Sequence, residues 1–186
     1  MFSEYFNILG SISPIGELCR KKIESHLTIK EFKKGEHILH TGETCNHIYF
    51  MYKGCNRIYY YKNDKEITEW FTSEKHFCFS ITSFFDKTPS HLSIETLEDS
   101  VVIQLSRKGI DELIHSDLEF ANLFINILSG SLKLSQKRMD SMQFETARQR
   151  YQNLVTEQPE ILQFANLQHI ASFLGITSET LSRIRS

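Results

Sequence analysis

The 186-residue sequence predicts an α+β chain in three parts: an antiparallel β-rich body, a long helix, and a C-terminal helix-turn-helix. Three observations carry this. Residues 27–105 break into short β-branched and aromatic runs punctuated by Gly, Asn and Asp, which is how an antiparallel sandwich or barrel reads. Residues 118–142 carry an apolar stripe whose steps alternate three and four without a break. Residues 167–186, LQHIASFLGITSETLSRIRS, form two short amphipathic stretches joined at a glycine. The expected divisions are 1–115 for the β body, 116–143 for the long helix and 144–186 for the terminal helical unit.

Composition permits this plan. Forty per cent apolar residues are enough for a core, and 24 per cent charged residues keep it soluble. The net charge of −2 argues against a nucleic-acid partner, but it is unevenly spread. Residues 1–132 hold fourteen Lys and Arg against eighteen Asp and Glu, whereas residues 133–186 hold seven against five. A mildly basic tail on an acidic body suits a DNA-reading module carried by a regulatory domain. Cys19, Cys45, Cys55 and Cys78 are scattered without metal spacing, as idle thiols of a reducing cytoplasm would be. The opening MFSEYFNILG has no basic region or cleavage site, and no run reaches about 18 apolar residues. The expected location is therefore the cytoplasm, with no membrane partner.

Taken in order, Ser13-Pro14 with Glu17 in the first turn opens a short helix to about His26. The strand runs are LTIKEF, EHILH, HIYFMYK, RIYYYK, EITEWF, LSIETL and SVVIQL, with Lys62-Asn63-Asp64-Lys65 as a tight hairpin. Ser116 and Glu119 read as a capping box. The helix that follows carries Leu118, Ala121, Ile125, Leu128, Leu132, Ser135, Met139 and Met142, the seam of a two-stranded coiled coil. Phe120, Phe124 and Ile127 form a second stripe that would lie on the β body. At ~1.5 Å per residue the helix is about 40 Å long, too long for one small domain to cover, although Gly130 weakens it. Self-association is the preferred reading, and burial against the chain's own β body is the alternative. Another helix spans Glu145 to Val155, and Pro159 then breaks the chain.

In the terminal unit, Leu167, Ile170, Ala171 and Leu174 give the first helix an apolar face. Gly175 supplies a left-handed stop, Ile176 plugs the angle, and Thr177 caps the second helix. Leu181 and Ile184 are that helix's buried side. Apolar spacing alone also fits a plain helical hairpin; the small Ala171, Gly175 and apolar Ile176 at these offsets favour helix-turn-helix, whose second helix enters the major groove. On its outward face Arg183 suits guanine O6 and N7, Glu179 a cytosine amino group, and Ser182 either partner. Ser178, Thr180, Arg185 and Gln168 are placed for phosphates, with Thr177 at the helix entrance. Glu179 and Arg183 also stand at i and i+4, where they read equally as a solvated helix pair.

The stretch KKGEHILHTGETCNHIYFMYKGCNRIYYY resembles the opening of a cyclic-nucleotide-binding β-roll, with Gly35-Glu36, Gly42-Glu43 and Lys53-Gly54 at its turns. Followed by a long helix and a helix-turn-helix, the order is similar to that of the Crp/Fnr family, named for the catabolite activator protein and the fumarate–nitrate reductase regulator. The resemblance implies a jelly-roll sensor, a homodimer, double-stranded DNA and RNA polymerase as partners, and an effector that shifts the dimer helices. Glu179-x-x-Ser182-Arg183 is closer to the fumarate–nitrate type, which implies a TTGA-type half-site.

Two departures from the family stand out. Where cyclic-AMP-binding members place a Gly-Glu pair and an Arg-Ser pair, this chain reads Phe79-Ser80 and Ser90-His91, and no arginine lies between Arg57 and Arg107. A cyclic phosphodiester needs a cationic fork or a nest of backbone donors, so cyclic AMP is not expected in the usual manner. Phe79, Ser80, Ser83, Ser90 and His91 would line a cup for some other small molecule, or Phe79, Phe84 and Phe85 fill it. The second helix ends at Ser186 without a following β wing, either because this branch dispenses with one or because the chain is trimmed.

Two rival classes remain. His37, His40 and His47 with Glu43 invite a cupin-type metal enzyme, but His37 and His40 stand three apart and are expected on opposite faces. No catalytic or metal site is assigned. A small-molecule signalling module that no longer reads DNA is the other alternative.

Overall fold

The structure is a computed structural model that describes residues 1–185. It opens on a helix the sequence reading passed over, α1 (Phe2–Ile12), which presents Phe2, Tyr5, Phe6 and Leu9 on one side. Tyr5 meets Phe50 edge-on at 5.0 Å between ring centroids, so the helix lids the β body. Next, α2 spans Glu17–Glu24 and starts later than expected: Gly16 precedes it, and Ser13 instead ends α1 in an extended conformation. Pro14 explains this, since a residue before proline is pushed out of the helical region.

Eight strands follow in two antiparallel four-stranded sheets. They are β1 (Leu27–Phe32), β2 (His37–Leu39), β3 (His47–Lys53), β4 (Asn56–Lys62), β5 (Lys65–Thr72), β6 (Phe77–Cys78), β7 (Ser93–Thr96) and β8 (Ser100–Ser106). One sheet has the order β1-β8-β3-β6 and the other β2-β7-β4-β5. Their inner residues, among them Met51, Ile94 and Val102, share one core. The β4–β5 hairpin turns at Asn63 and Asp64 (φ 51° and 60°), the left-handed pair that a two-residue turn of this type requires. Between β6 and β7 runs α3 (Ile81–Asp86), which the sequence did not signal.

After β8 come α4 (Arg107–Ser116) and α5 (Leu118–Phe144). The cap of α5 is Asp117, not Ser116: its carboxylate accepts from Glu119 N and Phe120 N at 3.1 and 3.2 Å. Ser116 belongs to α4, where its hydroxyl donates back to Glu112 O. Glu119 in turn reaches across to Gly16 N at 2.6 Å instead of closing a capping box. Phe120, Leu123 and Phe124 sink into the roll core, and Ile127 and Leu128 pack half-buried at its edge. The helix runs unbroken through Gly130.

The remaining helices are α6 (Ala147–Glu157), α7 (Ile161–Phe164), α8 (Leu167–Phe173) and α9 (Ser178–Arg185). Thr146 and Gln149 form a reciprocal capping box at α6, and Asn166 caps α8 by accepting from His169 N at 2.8 Å. These helices build a second core around Ile161, Ile170, Leu174 and Leu181, and it includes Phe71 and Leu97 of the roll. The terminal helices are thus seated on the outer face of the β4–β5 sheet. Ser186, the expected end of α9, lies outside the described residues.

Candidate nucleic-acid interface and effector cleft

The turn between α8 and α9 is made at Gly175, whose φ of +66° suits glycine. A β-carbon there would stand 2.5 Å from Met142 Cε, so the turn also presses on the end of α5. Met142, expected on the self-association seam, therefore packs at this turn. Thr177 Oγ1 accepts from Thr180 N at 3.2 Å and starts α9. Leu181 is buried and Ile184 half-buried beneath the helix. Ser178, Glu179, Ser182, Arg183 and Arg185 are exposed on it, Thr180 is half-buried, and Gln168 is exposed on α8. Arg183 Nη2 donates to Thr180 Oγ1 at 3.2 Å, and Thr177 and Arg183 help hold the Glu179 carboxyl below the usual carboxylate value.

What fixes the orientation of this face is the seat of α8 on β5. Ser172 Oγ accepts from Thr68 N at 2.9 Å and donates to Glu66 O at 3.3 Å, serving as a partner for the edge of the strand. Phe173 lies between Phe71, 5.1 Å away, and the Arg138 guanidinium of α5, 3.8 Å above its ring. Arg138 also donates to Phe173 O at 2.6 Å, and Arg150 donates to Leu174 O at 2.9 Å. Burial lowers the Arg138 guanidinium to about 10, still a cation at neutral pH. Nearby, buried Arg57 binds Glu66 and Glu95 at 2.6 Å each, and His169 Nε2 stands 3.9 Å from Glu66. Burial and the Arg57 charge hold the His169 imidazole below its ordinary value.

Along α5 the predicted seam is mostly open to solvent. Leu118 (77 %), Ile125 (59 %), Leu132 (72 %) and Met139 (61 %) are strongly exposed. Ser135 is exposed too, and Ala121 and Leu128 are half-buried. A row of large apolar side chains left in water on one helix face marks an interaction surface.

Between the roll and the middle of α5 lies a cavity of about 360 Å³. Of the residues assigned to a cup, Phe79 and His91 border it. Ser80, Ser83 and Ser90 do not. They are buried and satisfied elsewhere: Ser90 Oγ donates to Ser80 Oγ at 2.9 Å, and Ser83 Oγ donates to Thr88 O at 2.6 Å while accepting from Cys45 N. Sequence reasoning missed Trp70, Ile81, Leu92 and Leu134, which are apolar parts of its wall. Among the described residues no Lys or Arg borders this cavity; Glu69, His91 and the Cys78 thiol are its charged or titratable groups. Arg57 faces out to its carboxylates, and Arg107 is spent on Cys45 O and on the Phe84 ring. Phe79, Phe84 and Phe85 stack edge-on as one cluster beside the cavity.

The histidine reading needs a correction. His37 and His40 do not point apart; their rings stack at 4.3 Å. β2 ends at Leu39 and its register shifts after His37, so strict alternation is lost. Among the described residues, Cys19, Asp117 and Glu119 bring three metal-capable atoms within 4.8 Å. Asp117 is committed to Lys22 at 2.8 Å and Glu119 to Gly16 N, so neither is poised for an ion. No helix among the described residues is long and apolar enough to cross a membrane.

Residues 29–117 match the cyclic nucleotide-binding domain family. The fold is similar to that of a Crp/Fnr-family putative transcriptional regulator from Eubacterium rectale (TM-score 0.74, 17 % identity, 97 % of this chain and 85 % of that one). It is also similar to FixK2 from Bradyrhizobium japonicum (0.72, 20 %, 86 % and 82 %). The Thermus thermophilus catabolite activator protein is a third match (0.59, 19 %, 96 % and 84 %). No curated protein matches the chain by sequence.

Proposed function

From a cyclic nucleotide-binding domain set in the Crp/Fnr fold, we propose that this chain is a homodimeric, non-catalytic transcription regulator that reads double-stranded DNA through α9. The observation that carries the proposal is the outward face of α9, where Glu179, Ser182 and Arg183 stand exposed while Leu181 and α8 anchor the helix to the roll. In this reading α8 and α9 are the helix-turn-helix. Arg183 takes a guanine edge, Glu179 a cytosine amino group, and Ser178, Thr180, Arg185 and Gln168 contact phosphates.

Two copies join along Leu118, Ile125, Leu132 and Met139. Their reading helices then enter successive major grooves about 34 Å apart, so the operator is a two-fold repeat. The cavity beside Trp70 is the effector cup; its lack of a cation speaks against cyclic AMP as the occupant. Selecting bound duplexes from a random pool tests this in one experiment. The expected product is a palindrome with TTGA-type half-sites and salt-sensitive binding. Recovery of no preferred sequence, with no salt dependence, overturns it and leaves the signalling-module reading, which the net charge of −2 favours.

A further inference from the structure

We propose that the cleft between the roll and α5 binds a medium-chain fatty acid, its carboxylate beside Lys75 and His76 and its tail laid across Trp70 towards Phe79 and Ile81. This rests on reading the cleft as the effector site. The cavity described above is one of two lobes. A second, of about 320 Å³, continues between α1, the segment before β6 and α5, bordered by Ile8, Ile12 and Gly130. Both lobes are bordered by Trp70, Phe77, Ser131 and Leu134, so they adjoin along α5 and together offer a longer space than either alone. That shape and the apolar wall suit an extended chain.

The charges orient it. The first lobe carries Glu69 and His91 and neither Lys nor Arg, whereas the second carries Lys75 and His76 and no carboxylate in its wall. An anionic head is therefore repelled at one end and received at the other. Lys75 is bound to Glu4 at 2.9 Å on the surface and is 57 % exposed, so it has room to share its ammonium. A nucleotide lacks what it needs here. Its phosphate finds no guanidinium in the first lobe, and the buried serine hydroxyls that would meet its ribose are bonded to one another.

The chain's single tryptophan is Trp70, at the junction of the lobes, so its fluorescence reads occupancy without a label. The full chain is titrated with hexanoate, octanoate, decanoate, decan-1-ol and cyclic AMP, with calorimetry on the same samples for binding that leaves the indole silent. Affinity is expected to rise roughly fourfold per methylene from hexanoate to decanoate. Decanoate should exceed decan-1-ol, and Lys75→Ala should erase that advantage. Gly130→Leu, whose β-carbon meets nothing within 4 Å, fills the second lobe and improves the helix. It should weaken decanoate at least tenfold without lowering the melting temperature.

Absence of saturable decanoate binding, an affinity independent of chain length, or decanoate binding untouched by Gly130→Leu each overturns the inference, as does tighter binding of cyclic AMP. Duplex binding is scored separately. Failure there with a normal decanoate titration removes the DNA-reading proposal alone, and the reverse pattern removes only the ligand.

Discussion

Phe173→Ala tests the seat of the terminal helices on the roll. Phe173 is half-buried, pressed between the Phe71 ring at 5.1 Å and the Arg138 guanidinium at 3.8 Å. Truncating a fully buried Phe costs roughly 3–5 kcal/mol, so its half-buried area accounts for about 2 kcal/mol. The aromatic and cation–π contacts add about 1 kcal/mol beyond area. A loss of about 3 kcal/mol in a chain of this size lowers Tm by roughly 6–12 °C. Because the contact joins two cores, amide exchange should accelerate in α8 and α9 before it does in β3 or β8. A double-mutant cycle with Arg138→Met isolates the pair, and a coupling energy of about 1 kcal/mol is expected. A Tm within about 1 °C of the parent, or two singles that add without coupling, would refute the claim that α8 is held by this sandwich.

Other consequences can be checked alongside. Arg183→Ala should relax preference at one base pair per half-site by about 1–3 kcal/mol, whereas Arg185→Ala should weaken all duplexes alike and flatten the salt dependence by about one charge; binding to specific and random duplexes separates them. Leu132→Lys, at a site 72 % exposed in the single chain, should leave secondary structure unchanged and shift sedimentation from dimer to monomer; a dimer that survives it places the interface elsewhere. His169 is held below its ordinary 6.5 by burial and Arg57, so the unfolded chain takes the proton first. Stability is therefore level above about pH 6.5 and falls as the pH drops below it, and His37 and His47, lowered mainly by burial, add the same sign. Denaturant unfolding across pH 8 to 5 measures this, and His169→Gln should make the acid decline shallower; an unchanged slope counts against His169 as a contributor.

Much of the architecture was legible because local chemistry dictates it. The β4–β5 hairpin follows from Asn63-Asp64, the start of α9 from Thr177, and the stop of α8 from Gly175. The second stripe of α5 meets the roll because Phe120 and Phe124 repeat at helical spacing. Where the reading missed, the cause was tertiary or too short to leave a period. β6 is two residues long, and α3 has no side-chain cap. α1 does carry a helical signal in Phe2, Tyr5, Phe6 and Leu9, but over only 11 residues and with no side-chain cap at Met1. The sequence shows that Ser80, Ser83 and Ser90 carry hydroxyls but not which way they face, and all three bond within the roll instead of bordering the cavity. The bond from Thr68 N to Ser172 spans 104 residues and has no local trace at all.

The two faces of β5 have a thermodynamic consequence. Trp70 borders the cleft, and Thr68 and Phe71, its near neighbours on the same strand, hold Ser172 and Phe173. On the proposed reading, an occupant that prefers one posture of Trp70 also biases the posture of α8 through these contacts. Linkage is symmetrical, so if α9 holds the proposed target and the cleft the proposed occupant, any factor by which one changes the other's equilibrium affinity is returned in equal measure.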